Sequence, residues 1–181
     1  MYTSQTYTLR WPIILEEKTI ESVQINLINH AQHKQVLKSE PSEIEAFPQF
    51  ISLATGLTDA EVKKIKGPDF NSLRLKISDI VSKPTSHFIE DIDLDKPQLL
   101  QPFTGEDGQA RESLDIDIPD VAAIQRMHKL SSQDKEKATL WISMQCTGLT
   151  EKDIETMSVP DYNQLQERLG SFLNESADSF Q

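Results

Sequence analysis

Residues 54–73 read ATGLTDAEVKKIKGPDFNSL, and residues 146–165 read CTGLTEKDIETMSVPDYNQL. The two stretches align without a gap, 92 positions apart, from Thr55 and Thr147 to Val81 and Leu173. Thr-Gly-Leu-Thr is kept whole, Pro68-Asp69 matches Pro160-Asp161, Asn71 matches Asn163, and Leu73 matches Leu165. Val62 and Ile154, Ile65 and Met157, Phe70 and Tyr162, and Ile77 and Leu169 keep their apolar character. Surface positions drift, with Lys63-Lys64 facing Glu155-Thr156. A passage that keeps its apolar and turn residues while its charges change describes a shared fold rather than a shared charged site.

The repeated residues have local explanations. Gly56 and Gly148 suit the left-handed position that closes a helix. Thr58 and Thr150 then suit N-caps of the next helix. Glu61, three residues after Thr58, completes a capping box, and Asp153 is a shorter version after Thr150. Leu57 with Val62, and Leu149 with Ile154, fit hydrophobic staples across those caps. Pro68 and Pro160 fit the first turn of a further helix. Behind them Phe70, Leu73, Ile77 and Ile80 fall on one helical face, as do Tyr162, Leu165, Leu169 and Phe172. Either stripe is a core face or a partner contact. Trp11 and Trp141 carry the same two readings, with core favoured for both.

Upstream the repeat is fainter. Ser42 to Ala54 carries Ile44, Phe47, Ile51 and Ala54 at helical spacing, with Ser42 and Glu45 as another capping box. Pro48 is expected to break or kink this helix, because it removes one N–H and crowds the preceding turn. Its counterpart, Ser132 to Cys146, has no proline and should be cleaner. Asn29 and Asp120 are plausible caps of a short helix before each. At the front of each unit, YTLRWPIILEEKTIESVQINLI (residues 7–28) has two β-prone runs around a polar turn. PQLLQPF, TGEDGQ and ESLDIDI repeat the hairpin in residues 97–118. LDIDI alternates strictly, which predicts one buried and one wet face. The reading is an α+β chain in tandem duplication, each unit a β-hairpin followed by about four short helices. Residues 1–84 form the first unit and 97–174 the second. Residues 85–96 are an acidic linker or, within 86–94, an extra strand, and 175–181 a flexible tail.

Composition fits two modest cores of roughly 80–90 residues better than one large core, since only 37% of the 181 residues are hydrophobic. A formal net charge of −11 argues against nucleic acid and against anionic membrane surfaces as partners. No run approaches the ~20 apolar residues of a membrane span. The N-terminal residues carry no basic region followed by an apolar run, so no signal peptide is expected and the chain reads as cytosolic.

No catalytic or metal-binding arrangement emerges. His30 and His33 share a helix face, but no second pair completes a site, and a surface or capping role fits them. The acidic run Glu90, Asp91, Asp93, Asp95 lacks the glycine and final glutamate of a calcium loop. Gly105 to Gly108 is turn chemistry with no Lys-Ser/Thr behind it. Cys146, the single cysteine, sits opposite Ala54 in the first copy, which suits a small buried residue more than a nucleophile. No cofactor is expected.

The hairpin ending in VQINLINHAQHKQVLK, the helix ending in ATGLT, and the DAEVKKIKGPDFNSLRLKISDIV that follows resemble the small tail assembly chaperones of contractile-tailed phages, the P2 E-like and Mu 41-like proteins. The closing pattern of that family, Asp-[Phe/Leu/Tyr]-x-x-Leu, is matched by Asp69-Phe70 to Leu73 and by Asp161-Tyr162 to Leu165. The resemblance covers residues 7–83 and, more weakly before Thr147, residues 98–174. The family pattern normally occurs once in a protein, and here it occurs twice. The resemblance implies a non-catalytic chaperone in the bacterial host cytoplasm. Its partner would be the helical tape measure protein, with the tail tube protein as a second one. The doubled pattern fits a monomeric pseudo-dimer or a homo-oligomer. A structural tail or baseplate component, or a phage-encoded adaptor, is the alternative.

Overall fold

The computed structural model describes residues 4–40 and 42–180. The chain divides into two compact units at the Lys83–Pro84 bond. Each is a two-stranded antiparallel hairpin followed by four α-helices.

In the first unit, β1 (Gln5–Ile14) pairs with β2 (Thr19–Ile25). The helices are α1 (His30–Ser39), α2 (Glu43–Thr55), α3 (Asp59–Val62) and α4 (Gly67–Ser82). In the second, β3 (Gln98–Thr104) pairs with β4 (Ala110–Ser113). They precede α5 (Val121–Ser131), α6 (Lys135–Thr147), α7 (Glu151–Thr156) and α8 (Val159–Asn174).

Both hairpins are irregular in the same way. Between Thr8 and Ile13, β1 advances five residues while β2 advances two, from Ser22 to Ile20. Between Gln98 and Phe103, β3 advances five while β4 advances two, from Ser113 to Arg111. Such a bulge bends the strand and takes its N–H groups out of the ladder. The bulges carry a matching Leu-x-x-Pro, Leu9 to Pro12 and Leu99 to Pro102. Both leucines are buried, and each proline lacks the N–H that a ladder would need.

Backbone bonds tie each hairpin to its helices. Asn26 donates its backbone N–H to the carbonyl of Ala54 at 2.9 Å, and Asp117 donates to that of Cys146 at 2.7 Å. Asn29 and Asp120 then cap α1 and α5. Gly56 and Gly148, at φ 73° and 67°, close α2 and α6 in the left-handed conformation that only glycine adopts without strain.

Several expectations are corrected. Pro48 does not break α2, which runs unbroken from Glu43 to Thr55. The helix before Cys146 starts later than Ser132: Ser132 is the C-cap of α5, and Asp134 caps α6. LDIDI lies beyond the end of β4. Leu114 and Ile116 are buried as the alternation predicts, but the extended segment bonds to the Asp95 and Pro97 carbonyls. Residues 86–94 form no strand. A 3₁₀ turn at Thr85–His87 follows Pro84, and Thr85 is fully buried within the second unit, so this stretch is not a free linker. Within the stretch expected as a flexible tail, residues Ala177–Phe180 form a 3₁₀ turn. The Phe180 ring lies 5.5 Å from that of Phe172, and the Arg168 guanidinium sits over both.

Candidate functional site

The repeated residues hold each hairpin to its helices. Asp69, in the first turn of α4, accepts backbone N–H bonds from Arg10 and Trp11, both at 3.0 Å, and the Tyr7 hydroxyl at 2.8 Å. Asp161, in the first turn of α8, accepts from Leu100 N–H at 2.8 Å, Gln101 N–H at 3.2 Å and the Thr85 hydroxyl at 2.7 Å. The Ser158 hydroxyl adds a fourth bond at 2.6 Å. The four N–H groups are those that the two bulges release. Each carboxylate therefore satisfies the donors of a distorted strand while sitting at the positive end of a helix.

The two environments tune these acids differently. Burial pushes the Asp69 carboxyl up, but its bonds from Arg10, Trp11 and Tyr7 outweigh that and leave it below the usual range. For Asp161 burial wins over the bonds from Ser158, Leu100, Thr85 and Gln101, and the carboxyl is raised.

The caps form a second tie. Thr58 Oγ1 accepts the Glu61 N–H, and the Glu61 carboxylate accepts the Thr58 N–H at 2.8 Å. Glu61 also meets Lys18, in the β1–β2 turn, at 2.7 Å. Lys18 and the Thr58 bonds hold its carboxyl down to about 2. Thr150 and Asp153 form the same box, and Asp153 accepts the N–H of Glu106, in the β3–β4 turn, at 2.9 Å. All four capping residues thus bind local backbone, and Glu61, Asp153 and Thr150 also reach the hairpin turns.

The apolar stripes are mostly core. Leu73, Ile77, Leu165 and Leu169 are buried, while Phe70 and Tyr162 are half-buried. The two tryptophans separate. Trp141 packs against the second core with Arg126 over its ring at 4.9 Å. Trp11 is 46% exposed on β1, so its reading as a core anchor is corrected. Burial, with Asp117 adding, pushes the Cys146 thiol up to about 11, which keeps it protonated and unreactive at neutral pH. Among the described residues no group of three or more His, Cys, Asp or Glu side chains could hold a metal ion. Among them, too, no helix is long and apolar enough to cross a membrane.

What remains are exposed large apolar side chains: Leu94, Ile118 and Val121 in the second unit, and in the first, besides Trp11, Ile14, Leu37, Leu53 and Leu75. Structural equivalence assigns each of those in the first unit a counterpart in the second: Gln101, Thr104, His128, Gln145 and Glu167, all exposed and all polar. A groove of about 360 Å³ runs between α1 and α2. Val36 and Leu53 contribute apolar surface, Gln32, Gln35, Gln49, Ser39 and Ser52 contribute amides and hydroxyls, and Asp59 contributes one carboxylate. Charge divides equally sharply. Residues 1–83 hold ten basic and ten acidic side chains, while residues 84–181 hold eight and nineteen, so the whole net charge of −11 lies in the second unit. A neutral unit with an open groove can dock another protein, while the net negative charge of the other favours solubility.

A family model described as phage tail assembly chaperone proteins, E, or 41 or 14, matches residues 96–174. No curated protein and no solved structure gives a match.

Proposed function

We propose that this chain, whose residues 96–174 match the phage tail assembly chaperone family model, binds the tape measure protein and keeps it soluble until tail tube subunits displace it. The family match carries the reading. The first unit supports it by repeating the same element order, bulge, clamp and capping boxes, and is proposed as a second copy of the same module. The action is non-catalytic, takes place in the host cytoplasm, and requires reversible cover of apolar helix faces. Two linked modules on one long client raise the effective concentration of the second contact.

Co-expression of the cognate tape measure protein with and without this chain tests the reading. The tape measure should be recovered in the soluble fraction, bound to the chain, only when both are made. A tape measure that is equally soluble alone, with no complex recovered, overturns it. Persistence of the chain in purified tails would instead indicate a structural component.

A further inference from the structure

The two units are the same construction, yet one leaves open a space that the other fills. With α1 laid on α5 by their caps, and α2 on α6 by their closing glycines, the groove residues acquire exact partners. Val36 corresponds to Met127, Ser39 to Leu130, Gln49 to Trp141, and Ser52 to Met144. In the second unit Met127, Trp141 and Met144 pack against the core, and Arg126 lies over the indole. In the first unit the same positions carry smaller or more polar side chains, Gln35 replaces Arg126, and the space is the groove of about 360 Å³.

From this we infer that the α1–α2 groove of the first unit is the client-docking site, and that it takes an aromatic or methionine side chain with a Lys or Arg beside it, presented on a helix of the tape measure protein. The inference rests on the function proposed above. The second unit shows which chemistry completes this architecture: an indole, flexible thioethers and a guanidinium on the ring face. Asp59 at the groove supplies the charge that a client cation would meet. Gln32 already accepts the Asn29 N–H in the cap of α1 and Gln49 already donates to Glu40, so of the groove's amides it is Gln35 that is offered to the polar groups flanking the inserted ring. Leu53 is exposed here where Gln145 stands in the second unit, so the apolar rim belongs to the open groove alone. The neutral first unit also avoids the repulsion that an acidic client segment would meet at the second.

The test uses the full chain and the cognate tape measure protein. Gln49→Trp fills the groove with the residue its own sister unit uses there, and Leu53→Gln converts the rim to the sister's polar form. Both should bind the tape measure at least about tenfold more weakly, the loss typical of removing one anchored contact, with unchanged thermal midpoints. Ile118→Ser, at an exposed position of the second unit, should bind as the parent does. Leu53 lies at the surface, so its variant remains informative where Gln49→Trp perturbs folding. Parent-like affinity in folded Leu53→Gln and Gln49→Trp overturns the groove while leaving the chaperone reading intact. Failure of the parent itself to bind overturns both. A benzophenone side chain placed at Gln35 should cross-link to a tape measure peptide containing Trp, Phe, Tyr or Met near Lys or Arg, and capture of peptides without them overturns the stated client chemistry.

Discussion

Asp161 accepts the backbone N–H of Leu100 at 2.8 Å across 61 residues of chain, and this bond, with that from Gln101, holds the bulged strand of the second hairpin to the start of α8. Removing the carboxylate strands buried donors, each costing about 1–3 kcal/mol. Asp161→Ala should therefore destabilise the second unit by at least about 3 kcal/mol, and Asp69→Ala should weaken the first in the same way. Because each unit holds one tryptophan, urea melts followed through Trp141 in a Trp11→Phe background read the second unit selectively. A melt of Asp161→Ala superimposable on its background would show that the clamp carries no stability.

This clamp marks where sequence reading stops. The caps were legible because Thr58 and Glu61, or Thr150 and Asp153, complete their contacts within four residues. Asp69 and Asp161 were visible as repeats, yet their acceptors' partners lie about sixty residues upstream, where no local rule points. The repeat also fades upstream for a definable reason. Equivalent residues stand 92 apart after α2, but 91 apart at the caps Asn29 and Asp120, and 90 apart at Leu9 and Leu99. Single-residue differences in two connections thus hide Leu-x-x-Pro from a gapless comparison. Pro48 misled because helix-breaking is a local tendency that tertiary packing overrides: Phe47, Phe50 and Ile51 around it are all buried. The groove was invisible because an open space is a relation between helices, not a motif.

The two clamps should answer acid in opposite directions. Asp69 titrates below its ordinary value of 3.8 in the folded unit, so its contribution is present above 3.8 and lost as pH falls through the lower folded value. The stability advantage of the parent over Asp69→Asn should shrink there. Asp161 titrates above 3.8 when folded. Its linked stability is fully present below 3.8 and is lost as pH rises through the folded value, so the advantage over Asp161→Asn should grow as pH falls. Urea midpoints of the parent and both asparagine variants across acidic pH measure this directly. Two gaps that move together would mean the buried carboxylates do not differ as described.

The capping threonines should be unequal. Thr58→Ala and Thr150→Ala each lose an acceptor for a free helix N–H, worth about 0.5–2 kcal/mol. Thr150 also donates its hydroxyl to Glu106 in the β3–β4 turn at 2.9 Å, a bond to a hairpin that Thr58 does not make. Thr150→Ala should fall toward the upper end of that range and Thr58→Ala nearer the lower. Glu106→Gln in the Thr150→Ala background should then cost less than it does alone, as expected for groups that share one contact. Additive losses would separate the cap from the turn.

Salt discriminates between the two units as the seat of client binding. Exposed charges farther apart than about 10 Å are largely screened at 0.1 M ionic strength. A complex held by the second unit, where all of the −11 resides, would rely on a basic client and should weaken steeply as salt is added. The first unit has balanced charge, and its groove presents mainly Val36, Leu53, amides and hydroxyls, with Asp59 as the one carboxylate among its lining residues. Burial of an aromatic or methionine side chain there is indifferent to ionic strength, and only the contact to Asp59 is screened. The affinity for the tape measure protein should accordingly change by no more than a few-fold between roughly 0.05 and 0.5 M salt. Loss of the complex over that range would place the contact on the acidic unit, and Asp59→Asn would then leave the salt dependence untouched instead of flattening what little there is.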